Sequence, residues 1–141
     1  MQIQPFHLAI PVDNLELARQ FYRDTLELPE GRSDKQWVDF NFFGHQLVIH
    51  FKEKKESSTI RNTNPVDGKD VPIPHFGVVL TWEHFHNLAE MLHQKNVSFE
   101  IEPYLRFKDK PGEQATMFFY DPCGNALEFK AFKNQSQLFA K

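Results

Sequence analysis

The sequence predicts an α+β fold built from two tandem copies of one module, and three observations carry that expectation. The order strand, helix, strands runs through the chain twice, with a polar stretch between the copies. His7 and His75, 68 residues apart, occupy the same place in the first strand of each copy. Gly44 and Gly124 occupy the same turn in the last hairpin of each copy. The 141 residues suit a single domain with a real core. Its expected parts are module one at about 1–56, a linker at about 57–72 and module two at about 73–135.

In module one, PFHLAIPV (residues 5–12) reads as a short strand. Asp13 or Asn14 then caps a helix in which Leu15, Ala18, Tyr22 and Leu26 recur at helical spacing, and Pro29-Glu30-Gly31 ends it. Gln36 to Phe43 and Gln46 to Phe51 read as strands joined at Gly44-His45. Residues 52–72, KEKKESSTIRNTNPVDGKDVP, are polar and turn-rich and read as a surface loop. Module two opens with a strand from Pro74 to Leu80 and a helix with an apolar stripe of Phe85, Leu88, Ala89 and Leu92. Val97 to Ile101 reads as a strand and residues 102–114 as a loop.

The chain closes on ATMFFYDPCGNALEFKAF (residues 115–132), a strand, a tight turn and a second strand. Alternation places Glu128 and Lys130 on one face of that last strand and Leu127 and Phe129 on the other. An unpartnered carboxylate is costly to bury in so apolar a strand. Glu128 is therefore either on a solvated outer face or a functional group held by partners.

Composition narrows the function. A net charge of −3 without a basic stripe gives no nucleic-acid footprint. No apolar run is long enough to span a bilayer, and the N-terminus does not read as a secretory leader. The single cysteine, Cys123, has no partner for an internal disulfide, so a reduced, cytoplasmic setting is expected. Fifteen phenylalanines suit an aromatic-lined interior. His84, His86 and His93 fall on or beside the second helix and read as solvated. Two imidazoles and one carboxylate at repeat-related positions, His7, His75 and Glu128, have the composition of the facial triad of non-haem iron(II) sites.

The first strand PFHLAIPV, the helix LARQFYRDTLEL, the repeat at His75 and the ending FYDPCGNALEF together resemble the vicinal oxygen chelate superfamily. That group includes glyoxalase I, extradiol dioxygenases, fosfomycin-resistance thiol transferases and bleomycin-binding proteins. The resemblance spans Ile3 to about Lys133, and Asp-Pro-x-Gly-Asn-x-x-Glu is its most specific part. The stretch from Glu102-Pro103 through Arg106-Phe107 to Pro111-Gly112-Glu113-Gln114 is similar to a bacterial subgroup described as predicted extradiol-type dioxygenases. The resemblance implies paired βαβββ modules forming a cupped mixed sheet around a divalent metal held by His7, His75 and Glu128. Glu27 departs from the glycine many members carry after the first helix.

Within the superfamily, glyoxalase I uses a further ligand from the last strand of module one. Matching GHQLVI to GNALEF sets Val48, which is no ligand, opposite Glu128. His50 shares the parity of Val48 and is the candidate acid–base group. Extradiol enzymes commonly carry a tyrosine where this chain has Phe118, and Tyr120, of the same parity, is the candidate to supply the hydroxyl. Phe40, Phe42 and Phe118 are expected to line a flat pocket, and Arg106 to meet an acidic group on the substrate. The expected activity is extradiol-type cleavage of a small aromatic diol with iron(II), with manganese, nickel or zinc as other metals the ligand set accepts. A thiol transferase or isomerase on the same ligands, and a metal-free binding protein, are the alternatives. Homodimers are common in the superfamily.

Overall fold

The computed structural model describes residues 1–55 and 62–141. The chain divides into two compact units, Met1–Ile60 with Asp121–Asn125, and Arg61–Tyr120 with Ala126–Lys141. Each contains one mixed sheet of the same topology, so the repeat read from the sequence is a repeat of architecture.

In the first unit the strands are β1 (His7–Val12), β2 (Glu30–Asp34), β3 (Trp37–Phe42) and β4 (His45–Phe51), in the order β1-β4-β3-β2. β1 runs parallel to β4, and the other pairs are antiparallel. Helix α1 (Leu15–Gln20) starts at Asn14, whose side-chain oxygen accepts from the Leu17 N–H at 3.0 Å. The helix widens into a π-helical turn, Phe21–Thr25, which buries Tyr22 against Phe40 at a ring separation of 5.6 Å. Glu27, just beyond it, adopts φ +58°, a conformation that glycine takes at no steric cost.

The turn Asp121–Asn125 belongs to this unit, and buried Asp121 is its hub. One carboxylate oxygen accepts from the Tyr22 hydroxyl at 2.7 Å and the Asn125 amide at 2.8 Å. The other accepts from the backbone N–H groups of Cys123 and Asn125 at 2.8 and 2.9 Å. The Asn125 side chain also donates to the Pro11 carbonyl at 2.9 Å. The most specific stretch of the sequence thus contains a structural lock as well as Glu128. Burial pushes the Cys123 thiol up to about 11, so it is no ready nucleophile.

The second unit holds β5 (Asn62–Val66), β6 (Lys69–Ile73), β7 (His75–Phe76), β8 (Val79–Leu80), α2 (Trp82–Gln94), β9 (Phe99–Arg106), β10 (Gln114–Tyr120) and β11 (Ala126–Phe132). β7 and β8 both pair in parallel with β11, followed by antiparallel β10 and β9. Thr81 caps α2 through the His84 N–H, and the expected stripe of Phe85, Leu88, Ala89 and Leu92 is buried. The helix packs on β10 and β11, whose Phe119 and Phe129 stack at 5.8 Å.

Three expectations need correction. The stretch read as a linker carries the hairpin β5–β6 from residue 62 onward, and residues 57–61 lie outside those described. Its strands show no clean alternation, but Asp67-Gly68 at its tip has φ +51° and +73°, the left-handed pair of a type I′ turn. The expected 102–114 loop is shorter, because β9 continues to Arg106 through Pro103 and an irregular register opposite β10. β2 was read as the end of the first helix, since its largely exposed sequence, EGRSD, has no apolar face.

Tyr22→Phe removes one donor to a buried carboxylate and is expected to lower stability by about 1–2 kcal/mol, read from denaturant unfolding. Unchanged stability would show that Asp121 does not depend on the phenol.

Candidate functional site

Cross-strand register places Glu128, Lys130, Thr116, Phe118, Tyr120 and Tyr104 on one face of the second unit's sheet, away from α2. His75 joins them through its parallel pairing with Ala126. The Glu128 carboxylate, largely buried, is held from three sides. Thr116 Oγ1 donates to Oε1 at 2.8 Å, Lys130 Nζ lies 3.3 Å from the same oxygen, and His75 Nε2 is 2.9 Å from Oε2. His75 Nδ1 lies 2.7 Å from the Pro72 carbonyl oxygen, and Phe118 packs edge-on against the imidazole at 5.1 Å.

Both ring nitrogens of His75 therefore face acceptors, which suits the imidazolium. The hydrogen bond to Glu128 raises its pKa above the ordinary value against the opposing effect of burial. Burial alone would raise Glu128. The hydrogen bonds from His75 and Thr116, with the charge of Lys130, outweigh it and hold the carboxyl below its ordinary value.

Gly77 makes this approach possible. A Cβ there would lie 1.6 Å from the Glu128 carbonyl oxygen and 2.7 Å from its carbon. Only a residue without a side chain lets the His75 segment run this close to β11, and the interruption between β7 and β8 falls at this point.

In the first unit, His7 pairs in register with Gln46 of β4, as His75 pairs with Ala126 of β11. Two residues further along each partner strand come Val48 and Glu128, so the alignment read from the glycines holds in the sheets. Gly44 and Gly124 adopt matching φ values of +90° and +88°. His7 Nδ1 lies 2.8 Å from Gln46 Oε1, and Gln46 Nε2 donates to Asp39 Oδ2 at 3.3 Å. In both histidines Nδ1 is tied to an oxygen acceptor, the second partner that orients metal-ligating imidazoles and leaves Nε2 for the ligand.

His50 is exposed and shares its face with Gln46, Val48 and Trp37. Phe118 and Tyr120 lie on the Glu128 face, and Arg106, in β9, lies there too. Phe40 and Phe42 do not share the face of Gln46, the register partner of His7. They alternate onto the opposite face, 1% and 4% exposed, and Phe40 packs against Tyr22. On β3 the face shared with Gln46, Val48 and His50 carries Trp37, Asp39 and Asn41. Sequence reading missed Thr116, Gln46, Asp39 and the Pro72 carbonyl. Thr116, two residues before Phe118 on the strand facing Glu128, was the one with a usable signal.

Among the described residues no three His, Cys, Asp or Glu side chains form a metal-ready group. The donor chemistry nonetheless fits a divalent ion. Within the second unit His75 Nε2 and Glu128 Oε2 converge, and within the first His7 has its own oxygen acceptor at Nδ1.

A family model described as the Glyoxalase/Bleomycin resistance protein/Dioxygenase superfamily matches residues 4–129. A solved structure of a glyoxalase/bleomycin resistance protein/dioxygenase from Alicyclobacillus acidocaldarius is 30% identical, covers 96% of each chain and superposes with a TM-score of 0.79. An integron cassette protein from the mobile metagenome of the Halifax Harbour sewage outfall is 24% identical, over 90% of this chain and 97% of its own, with a TM-score of 0.65. A lactoylglutathione lyase from Agrobacterium tumefaciens shares the fold at 17% identity, 96% coverage of both chains and a TM-score of 0.64. No curated protein matches the chain.

Two outcomes check the site. Gly77→Ala should destabilise the protein by about 3 kcal/mol or more, because backbone rather than a flexible side chain must yield. A Tm within a degree of wild type would contradict the close approach. In chelator-treated protein, the His75–Glu128 pair contributes fully only above the carboxyl's ordinary 4.5 and below the imidazole's ordinary 6.5. The Glu128 part is lost as pH falls through its lowered value, and the His75 part as pH rises through its raised one. The Tm gap between wild type and Glu128→Gln should therefore be widest within that window. A gap that grows steadily above pH 7 would refute the pairing.

Proposed function

The chain belongs to the glyoxalase/bleomycin resistance protein/dioxygenase superfamily, and on that premise we propose that it is a metal-dependent enzyme of the extradiol-dioxygenase type. Its substrate is a small aromatic diol, and its metal is iron(II), held by His7, His75 and Glu128. The observation that carries the reading is the His75–Glu128 pair, 2.9 Å apart and braced by Thr116 and the Pro72 carbonyl. When bound, the metal supplies a Lewis-acidic centre that gathers the diol's adjacent oxygens and, as iron(II), exchanges electrons with dioxygen.

The chain's own residues do the rest. Thr116 fixes the Glu128 carboxylate so that Oε2 faces His75, and Pro72 fixes the ring of His75. His75 releases its Nε2 proton when that nitrogen takes up a metal, so binding competes with protonation. Asp39 orients Gln46, which orients His7. Phe118 packs edge-on against the His75 imidazole and steadies its plane. His50 and Tyr120 are the proposed acid–base and hydroxyl groups, each on the ligand face of its own sheet.

One observation favours a second reading. Asp39 stands directly opposite Val48 on the same face, so a carboxylate lies one strand over from the place where glyoxalase I draws its further ligand. Isomerase or thiol-transfer chemistry would then proceed without oxygen.

The test is metal analysis of anaerobically purified protein, followed by oxygen uptake with a panel of catechols. Stoichiometric iron and oxygen consumption with a yellow ring-opened product are expected. Metal without oxygen uptake, and turnover of a thiol adduct, would move the assignment to the second reading. His75→Ala should lose metal while remaining folded. Thr116→Val should weaken metal binding about 10- to 100-fold. Full activity in His75→Ala would remove the site.

A further inference from the structure

The hairpin β5–β6 packs on the Glu128 face of its own unit. Val71 of β6 forms a buried cluster with Ile101 and Phe118, and Val66 and Tyr104 border it. At the hairpin tip, Asp67 Oδ2 accepts from Arg106 Nε at 2.5 Å and from the Tyr104 hydroxyl at 3.2 Å. Lys69 Nζ, on the same hairpin, lies over the Tyr104 ring at 4.7 Å from its centroid. A guanidinium, a phenol and an ammonium thus gather beside a buried apolar cluster, on the sheet face that carries His75 and Glu128.

We propose that Arg106, Tyr104 and Lys69 form the subsite for a carboxylate on the substrate, with the Asp67 carboxylate standing in for it in this structure. The inference deepens the reading above, since it names the substrate class of that same site as an aromatic acid rather than a neutral diol.

Two features set this apart from a simple surface clasp. Arg106 and Tyr104 are built into strand β9, and Arg106 is 22% exposed, while Asp67 sits on the hairpin tip at 40%. The acid is the exchangeable partner. The hairpin does not need the ion pair to stay on the sheet either, because Val71 already buries itself against Ile101 and Phe118. Spacing also suits a small aromatic acid. Tyr104 lies two strands across the sheet from Glu128 and two residues along it, and Arg106 two residues further, roughly 12 and 16 Å between backbone positions, and the long Arg106 and Glu128 side chains shorten that span. A substrate with its carboxylate toward Arg106 would leave its other end toward the His75–Glu128 pair.

The experiment uses the full chain, stripped of metal by chelator, with benzoate as probe and benzyl alcohol as its neutral counterpart. Affinities are measured by calorimetry or amide chemical shifts. Asp67→Asn is the informative variant, because Asn-Gly suits a type I′ turn at least as well as Asp-Gly. It removes the charge and leaves the fold. Removing the internal competitor should tighten benzoate about fivefold. Arg106→Gln should weaken it about tenfold or more, and in Asp67→Asn/Arg106→Gln the gain should vanish. Benzyl alcohol should change less than twofold throughout. Benzoate and benzyl alcohol moving together, or benzoate binding weakened by Asp67→Asn, would overturn the subsite and leave Asp67 as a clasp. Because metal is absent from these titrations, their failure leaves the metal reading standing, and failure of the metal assay leaves them unaffected.

Discussion

The Glu128 carbonyl oxygen occupies the space that a side chain at position 77 would need, 1.6 Å from an added Cβ. Much of the second unit's chemistry hangs on that contact. It lets the segment from His75 to Leu80 pair with β11 on both sides of Gly77, with His75 in register with Ala126 and Val79 in register with Lys130. Once that register is set, the imidazole of His75 has Glu128 on one side and the Pro72 carbonyl on the other. A buried carboxylate that would otherwise be destabilising becomes the centre of a satisfied network.

Duplication explains the architecture, and divergence between the copies explains the chemistry. Equivalent positions hold Gln46 and Ala126, Val48 and Glu128, and Asp39 and Phe118. The first copy therefore uses a side-chain amide to orient its histidine, where the second uses a main-chain carbonyl from the preceding strand. Both solutions leave Nε2 of the imidazole for another partner. The first unit keeps its carboxylate one strand away, at Asp39, and the second carries it on the strand beside the histidine.

The two modules and the roles of the helices were legible because their signals are local and periodic. Apolar stripes, capping residues and glycines at matching turns do not depend on distant contacts. Glu128 was legible because a carboxylate between Leu127 and Phe129 violates the apolar pattern of its strand. What could not be read was which face a phenylalanine takes when the residues around it are nearly all apolar. Phe40 and Phe42 alternate with Asp39 and Asn41, and the polar pair marked the face shared with Gln46 and Val48. Trp37, on that same face, obscured it. The hairpin β5–β6 escaped for the opposite reason. Its strands are polar, largely exposed and carry Pro65 and Pro72, so only the Asp67-Gly68 turn signalled it.

The described parts of the two copies share a topology, but the hairpin lies only in the second, on the Glu128 face of its sheet. A stretch that served only to join two modules would need neither strand pairing nor a buried valine. Val71 ties the hairpin to the sheet, while Asp67 at its tip meets cationic and phenolic groups that the strands themselves supply. Packing fixes where the hairpin lies, and electrostatics acts at its tip. The ion pair is thus not what holds the hairpin in place, and the structure that positions Asp67 does not depend on its charge.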